Sequence, residues 1–250
     1  MLLNILLLVV GFFLLIKGAN WLVEGASSIA KRLKVSDLVI GLTVVSFGTS
    51  APELLVNIVA SFQENADIAI GNIVGSNISN TLLILGTTAL IAPLAVQRST
   101  VIKEIPFCLL AAVTLFIMAN DMMVDGYAQS ELSRSDGLAF LGFFIIFIYY
   151  TFGMRKITTT EGVDLLEEKP ESLWISFIKL LIGLIGLALG AKLAVDGAVG
   201  IARIIGVSEA LIGLTLVALG TSLPELAASI VAARKGKADI AVGNIVGSNI

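Results

Sequence analysis

Two short polar segments interrupt apolar stretches of this chain and carry the same order of reactive groups. The first runs from Gly48 to Leu54 and reads GTSAPEL, and the second runs from Gly220 to Leu226 and reads GTSLPEL. Each holds two hydroxyls, a carboxylate, and a glycine and a proline that disfavour a regular helix. A charged side chain at membrane depth costs about 2.5–3.5 kcal/mol on insertion scales. A chain that accepts this cost twice is expected to use both carboxylates.

The composition places the chain among helical membrane proteins. Its 250 residues are 57% hydrophobic and only 14% charged, whereas a soluble domain has about a quarter charged residues. The long apolar segments predict an all-α polytopic membrane protein. The net charge of −3 does not indicate nucleic-acid binding, and the absence of histidine excludes a histidine ligand. Cys108 is the only cysteine, which excludes an internal disulfide and a cysteine metal cluster. No phosphate loop, nucleophile–base pair or redox motif indicates an enzyme.

Hydrophobic segments predict eight helices in this chain. The apolar segment Leu2–Ile16 lacks a preceding basic residue and a small-residue cleavage site, so we interpret it as a retained span. The eight helices are expected at about residues 2–29, 36–62, 67–92, 101–119, 136–153, 173–201 and 208–233, and from about residue 239 onward.

An internal repeat organises the chain. Residues 11–78 align without a gap to residues 183–250, so that Gly41 matches Gly213 at an offset of 172, and more than half of the positions are identical. Five predicted spans separate the copies, and this odd number predicts that the second copy is inserted upside down. We divide the chain into a first repeat at 1–153, a cytoplasmic connector at 154–172 and a second repeat at 173–250. The first copy continues through three further elements, which predicts a natural chain about 75 residues longer, with ten helices.

The charges of the loops support this inversion. Lys31, Arg32 and Lys34 follow the first span, whereas the equivalent positions after the sixth span retain only Arg203. Three basic residues likewise follow the seventh span, and none follows its equivalent, the second span. The positive-inside rule then places the loops after spans 1, 3, 5 and 7 in the cytoplasm and the N-terminus outside.

The spacing of the polar groups predicts a cation site. Thr49 and Glu53 are four residues apart and share a helix face, and the nearby glycine and proline should free or tilt backbone carbonyls around Phe47 and Ser46. Asn72, Ser76 and Asn80 form one stripe on the next helix. Carboxylate, hydroxyl and carbonyl oxygens are the ligands that hard cations prefer.

Folding one copy onto the other about a pseudo-two-fold axis brings Glu53 and Glu225 together near the membrane midplane. The resulting oxygens could hold a divalent cation or Na⁺, and protons should compete for two close carboxylates. Each motif could alternatively be a structural proline bend, although the duplication disfavours that interpretation. Four amides are equally well explained as hydrogen-bonding groups between helices: Asn72, Asn77, Asn244 and Asn249.

The duplicated pair of motifs, Gly-Thr-Ser-x-Pro-Glu-Leu followed by Gly-x-x-x-Gly-Ser-Asn-Ile, resembles the two α-repeats of the sodium/calcium exchanger family, within the calcium/cation antiporter superfamily. The resemblance covers the whole chain. The short connector is similar to that of the small prokaryotic members, which lack a large regulatory insert. The resemblance implies an inverted-repeat transporter in a prokaryotic plasma (inner) membrane.

The resemblance also implies a ligand set. Glu53 and Glu225 would be the central acidic ligands for Ca²⁺ and Na⁺. Hydroxyl, carbonyl or amide oxygens would come from Thr49, Ser50, Thr221, Ser222, Ser76, Asn80 and Ser248. The backbone carbonyls of Ser46 and Ala218 would serve flanking Na⁺ sites. The counterpart of Asn80 would be position 252, which in the family is commonly acidic or an amide, so this ligand set is incomplete.

These observations predict a secondary antiporter that exchanges Ca²⁺ for Na⁺ by alternating access, with the first and sixth helices sliding against a core. The alternative is a proton-coupled calcium antiporter on the same scaffold. A passive cation channel is less favoured, and a scaffold without transport activity is disfavoured by the duplicated acid. We expect Ca²⁺, Na⁺ or H⁺ and the lipid bilayer as partners, with no cofactor, nucleic acid or obligate protein partner.

Overall fold

The computed structural model describes residues 1–126, 128–153 and 171–250 of the chain. Within these ranges every regular element is a helix, which confirms the predicted all-α fold for the described residues. The predicted connector lies outside them except for Glu171 and Ser172. The proposed division of the chain into two repeats and a connector therefore stays a prediction, as do ten helices for a longer chain.

The helices follow the predicted order. Five are long and apolar enough to cross a membrane, and two bent helix pairs bring the total to as many as seven among the described residues. A single helical turn, Asp121–Val124, lies between the fourth and fifth helices. In chain order the helices are α1 (Leu2–Leu33), α2a (Asp37–Thr49), α2b (Ala51–Phe62), α3 (Ala66–Ile91), α4 (Arg98–Met118), α5 (Arg134–Gly153), α6 (Leu173–Ile204), α7a (from Glu209–Ile212 to Ala218–Thr221), α7b (Leu223–Arg234) and α8 (Ala238–Asn249).

Helices α1 and α6, the equivalent first helices of the two copies, pack closely along glycines. A Cβ atom at Gly11 would lie 2.8 Å from the backbone oxygen of Gly190, and one at Gly25 would lie 2.6 Å from that of Ser176. Residue numbers therefore rise along α1 as they fall along α6, and the helices are antiparallel. Equivalent helices that run in opposite directions show that the two copies are inverted, as the span count and the loop charges predicted.

The second and seventh spans break inside the duplicated motif. The halves α2a and α2b meet at 49° and the halves α7a and α7b at 54°. The sequence predicted a distortion around Gly48, whereas the helices are interrupted at Ser50 and Ser222. The proline lies in the first turn of the new helix, where its missing N–H costs no hydrogen bond. Each span is therefore two half-helices rather than one kinked helix.

The described residues contain three π-helical turns that the sequence analysis missed, and two of them directly precede the segments that end at these breaks. They cover Gly41–Val45 in α2a, Gly213–Val217 in α7a and Ser79–Ile84 in α3. Thr43 and Thr215 donate their hydroxyls to the carbonyls four residues earlier, at 2.7 and 2.6 Å. Such turns often mark functional sites because the extra residue rotates the side chains that follow. The repeated Ile-Gly-Leu-Thr block was the only sequence signal for two of them.

Substitution of Gly18 in α1 tests the close packing of α1 on α6. A Cβ atom there would lie 2.8 Å from the backbone oxygen of Gly183, so Gly18→Val forces the helices apart. We expect a loss of about 1–3 kcal/mol in stability, measured as a lower midpoint of thermal unfolding in detergent. Gly86→Ala is the matched control, because a Cβ atom there meets no described atom within 4 Å. An unchanged midpoint for Gly18→Val would contradict the packing.

Candidate functional site: an oxygen-lined cavity between the two copies

A cavity of about 290 Å³ lies where the broken helices meet α3 and α8. Its walls come from both copies of the repeat, and six of the predicted site residues line it. The lining residues are Ser50, Glu53, Leu54, Asn57, Asn72, Ile73, Ser76, Asn77, Asn80, Glu225, Ser248 and Ile250. Because most of these side chains are polar, the cavity offers oxygen ligands inside an otherwise apolar protein.

Glu53 and Glu225 are the only acidic residues that line this cavity. Their exposed fractions are 8% and 1%, so neither carboxylate faces lipid. Each lies in the first turn of its half-helix, α2b or α7b, where the helix N-terminus favours negative charge. The two carboxylates are close enough to repel each other. The Oε2 atom of each is buried without a hydrogen-bond partner, and such an atom is costly unless a cation or a proton satisfies it.

Side chains of each copy reach the glutamate of the other. The Ser50 hydroxyl donates to Oε1 of Glu225 at 2.9 Å and lies 3.0 Å from the hydroxyl of Ser248. The hydroxyls of Thr49 and Thr221 are within reach of the carboxylates of Glu225 and Glu53, respectively. The Ser222 hydroxyl, which is equivalent to that of Ser50, has no partner, so the pseudo-two-fold arrangement that the repeat predicts is only partly present around the two acids.

The equivalent amides Asn72 and Asn244 hold the half-helices in place. Each donates to the backbone carbonyl of the glutamate in its own copy at 3.4 Å. Each also donates to a side chain one turn further along the half-helix, Asn57 or Ser229, at 3.0 Å. These contacts agree with the interpretation of the two amides as hydrogen-bonding groups between helices. They position the acids, and Asn244 additionally accepts a 3.0 Å bond from Thr49.

The remaining predicted ligands are placed differently in the two copies. In the second copy, Ser222 is buried with an unpartnered hydroxyl. The half-buried Thr221 donates its hydroxyl to the carbonyl of Ala218 at 3.3 Å. Neither Ser222, Thr221 nor Ala218 lines the cavity. The break does not free the Ser46 carbonyl, and the predicted tilt of the carbonyls around Phe47 and Ser46 stays a prediction. The Ser46 carbonyl accepts the Ser50 N–H at 3.0 Å and the Thr49 hydroxyl at 3.3 Å, because the helix continues to Thr49.

The donor set suits a hard cation. Carboxylate, hydroxyl and amide oxygens are the ligands of Ca²⁺ and Na⁺ rather than of softer metals. Among the described residues no group of three or more His, Cys, Asp or Glu side chains could hold a metal. The site therefore depends on two carboxylates and neutral oxygens.

The two ends of the cavity are packed unequally. On one side α8 lies against α2a, where a Cβ atom at Gly243 would meet the backbone oxygen of Leu38 at 2.8 Å. The equivalent contact on the other side would join α3 to α7a. A Cβ atom at Gly71 or Gly213 meets no described atom within 4 Å. The α2a–α8 side, called the closed mouth, is thus packed backbone to backbone, and no such contact is described at its α3–α7a equivalent, called the open mouth.

Ion pairs reinforce the closed mouth. Lys237 contacts Asp37 at 2.9 Å, and Lys235 contacts Glu24 at 2.7 Å. At the open mouth the position equivalent to Lys237 is Asn65, which has no charge and caps α3. Asn65 therefore cannot form at the open mouth the ion pair that Lys237 forms with Asp37 at the closed mouth.

A membrane protein built from two inverted copies, with broken helices around an oxygen-lined cavity, belongs to the class of inverted-repeat secondary transporters. The family profile described as sodium/calcium exchanger protein matches residues 3–153 and 175–250. The chain belongs to the sodium/calcium exchanger family.

Individual relatives support this assignment. The chain is 36% identical over 277 residues to the sodium/calcium exchanger MaX1 of Methanosarcina acetivorans, covering 99% of this chain and 79% of the relative. It is 40% identical over 257 residues to the inner membrane protein YrbG of Escherichia coli, covering 100% of this chain and 77% of the relative. A solved structure of the sodium-calcium exchanger NCX_Mj, soaked with Na⁺ and Ca²⁺, superposes with a TM-score of 0.83 at 36% identity, covering 100% of this chain and 78% of that chain.

Neutralising either glutamate tests the site. Glu53→Gln or Glu225→Gln removes one of the two charges that a bound cation would neutralise. Loss of a buried charge partner costs about 2–5 kcal/mol, so Ca²⁺ affinity should fall at least roughly thirtyfold, as measured by calorimetric titration in detergent. Glu131→Gln, in an exposed loop, is the matched control and should bind as the wild type. Undiminished affinity in either cavity variant would remove that residue from the site.

Proposed function

We propose that the chain is a secondary antiporter that carries Ca²⁺ outward in exchange for Na⁺ moving inward. The observation that carries this proposal is the pair of buried glutamates, one from each copy, that line one cavity and each keep an unpartnered carboxylate oxygen. Two such carboxylates in a low-dielectric site favour a divalent cation or two monovalent cations. Alternate neutralisation of the same two charges by one Ca²⁺ or by Na⁺ ions is the chemical basis of the exchange.

The ligand roles are proposed from the cavity lining and from the resemblance to the family. Glu53 and Glu225 bind Ca²⁺ or Na⁺, assisted by the cavity hydroxyls and by the amide oxygen of Asn80. Thr49, Thr221 and Ser222 complete the hydroxyl set beside the acids, and the carbonyls of Ser46 and Ala218 serve flanking Na⁺ sites through their second lone pairs. Na⁺ as the counter-ion is supported by the similarity to MaX1 and NCX_Mj, both named as sodium/calcium exchangers.

The transport cycle is alternating access. The closed α2a–α8 mouth and the open α3–α7a mouth are equivalent in sequence, so exchanging their packing would expose the cavity to the other side of the membrane. The glycine contacts of α1 with α6 let these two helices slide against the core. By the positive-inside rule the closed mouth faces the cytoplasm and the N-terminus lies outside, in a prokaryotic inner membrane.

The counter-ion is tested by flux in proteoliposomes. We expect an outward Na⁺ gradient to drive saturable Ca²⁺ uptake, because the same oxygens must release one ion before they bind the other. Uptake driven by a pH gradient without Na⁺ would replace the proposal with the proton-coupled alternative. Uptake that needs no counter-ion would indicate a channel. Liposomes carrying Glu225→Gln provide the background signal.

A cross-link at the closed mouth tests alternating access. Asp37→Cys and Lys237→Cys, joined by a short thiol-reactive cross-linker in a Cys108→Ala background, keep α2a and α8 together. Exchange should fall to the background and recover when the linker is cleaved, since the cytoplasmic mouth must open once per cycle. Each single-cysteine variant treated with the same reagent is the control. Exchange that continues through the intact cross-link would refute the opening of this mouth.

A further inference from the structure

The crossing of α3 and α8 beside the cavity holds a chain of amide side chains. Asn80 donates its Nδ2 to Oδ1 of Asn249 at 2.9 Å, and Asn249 donates its own Nδ2 to the Thr81 hydroxyl at 3.0 Å. The backbone carbonyl of Asn249 accepts a bond from Asn77 at 3.4 Å. Asn77 and Asn249 are equivalent positions of the two copies, yet only the amide of Asn249 bonds to that of Asn80.

The orientation of the Asn80 amide decides whether it can serve a cation. Asn80 lines the cavity with both glutamates, its exposed fraction is 3%, and its Oδ1 is buried without a partner. An amide has two donors at one end and an acceptor at the other. Turned around, the same side chain would direct its NH₂ group at the cation. The amide therefore attracts a cation when its oxygen faces the cavity and repels the cation when its NH₂ group does.

The contact with Asn249 selects one of these orientations. The amide oxygen of Asn249 accepts but cannot donate, so the group of Asn80 that faces it is the NH₂ group. The Nδ2 of Asn249 donates to the Thr81 hydroxyl, and the oxygen at the other end of the Asn249 amide faces Asn80. Asn249 itself does not line the cavity in the described chain. Its side chain acts on the site through Asn80.

We propose that Asn249 is a positioning residue, anchored by Thr81, that holds the Asn80 amide with its oxygen toward the transported cation. This inference rests on the proposed function. It predicts that Asn249 affects cation affinity and has no role when Asn80 is absent.

A double-mutant cycle tests the proposal, with Na⁺-driven Ca²⁺ uptake in proteoliposomes as the readout. Asn249→Leu should raise the Ca²⁺ KM about tenfold and leave the maximal rate within about twofold, because it frees the amide of Asn80 to rotate. Asn80→Ala should raise KM by a similar factor. The double variant should be no worse than Asn80→Ala alone, since residues that act through one another are not additive. Additive effects, or an unchanged KM for Asn249→Leu, would overturn the proposal.

A milder variant covers the case in which Asn249→Leu does not fold. Thr81→Val keeps the shape of the side chain and removes the hydroxyl that anchors Asn249. It should raise KM about threefold in the wild-type background and leave it unchanged in the Asn80→Ala background. An equal rise in both backgrounds, or no rise in either, would contradict the positioning role.

The control is Cys108→Ala. The Cys108 thiol donates to the backbone carbonyl of Asn249 at 3.8 Å, so its removal leaves the Asn249 side chain in place. Cys108→Ala should not change KM. Failure of the proposed function is recognised separately, as a wild-type protein without Na⁺-driven uptake. Failure of this inference is recognised by a wild-type protein that transports while the cycle is additive.

Discussion

The burial of two carboxylates in one cavity is the constraint on which the rest of the structure depends. Each carboxylate loses its hydration inside the membrane, and the penalty for one buried ion is several kcal/mol. Their mutual repulsion adds to this cost. The structure offsets it with half-helix N-termini, cross-copy hydroxyls and amides that bind the half-helix backbones, but leaves one oxygen of each acid unpartnered. Under the proposed function a cation supplies the missing interaction and its loss restores the cost, which favours replacement of one ion by another.

The inverted duplication explains how one site can serve two sides of a membrane. Equivalent residues occupy equivalent positions around the acids, as Asn72 and Asn244 show, because both copies carry the same motif. The packing outside the acids is unequal, since Gly243 contacts α2a whereas its equivalent Gly71 meets no described atom. The two copies of nearly the same sequence are therefore packed in two different ways in one molecule. This is the physical requirement for a transition that exchanges them.

Small residues make such a transition compatible with a stable core. Glycines bring the backbones of α1 and α6 so close that a Cβ atom at Gly11, Gly18 or Gly25 would lie within 3 Å of the facing helix. Packing rather than the hydrophobic effect stabilises helix association in lipid. A contact of backbones presents few side-chain ridges and can be remade after a shift. The polar core differs, because its hydrogen bonds fix the side chains individually. The α1–α6 contact and the candidate site are thus built from different residue types.

The sequence alone determined the helical class, the position of the repeat, its inversion and the meeting of Glu53 with Glu225. These follow from local hydropathy, loop charge and an identity between distant segments, all of which can be read along the chain. Most of the fold and the centre of the site were therefore predictable, and the family resemblance supplied the hydroxyl ligands around it.

Only the tertiary structure decided the finer arrangement. The π-helical turns, the break at Ser50 and the bonded carbonyl of Ser46 are details of local geometry that the residue pattern did not specify. The hydrogen bond between Asn80 and Asn249 joins residues far apart in sequence. The difference in packing between the two mouths was the feature that the sequence predicted least. Nearly identical motifs cannot by themselves specify different packing, so the choice belongs to the conformation of the whole molecule and to the neighbours that each copy meets.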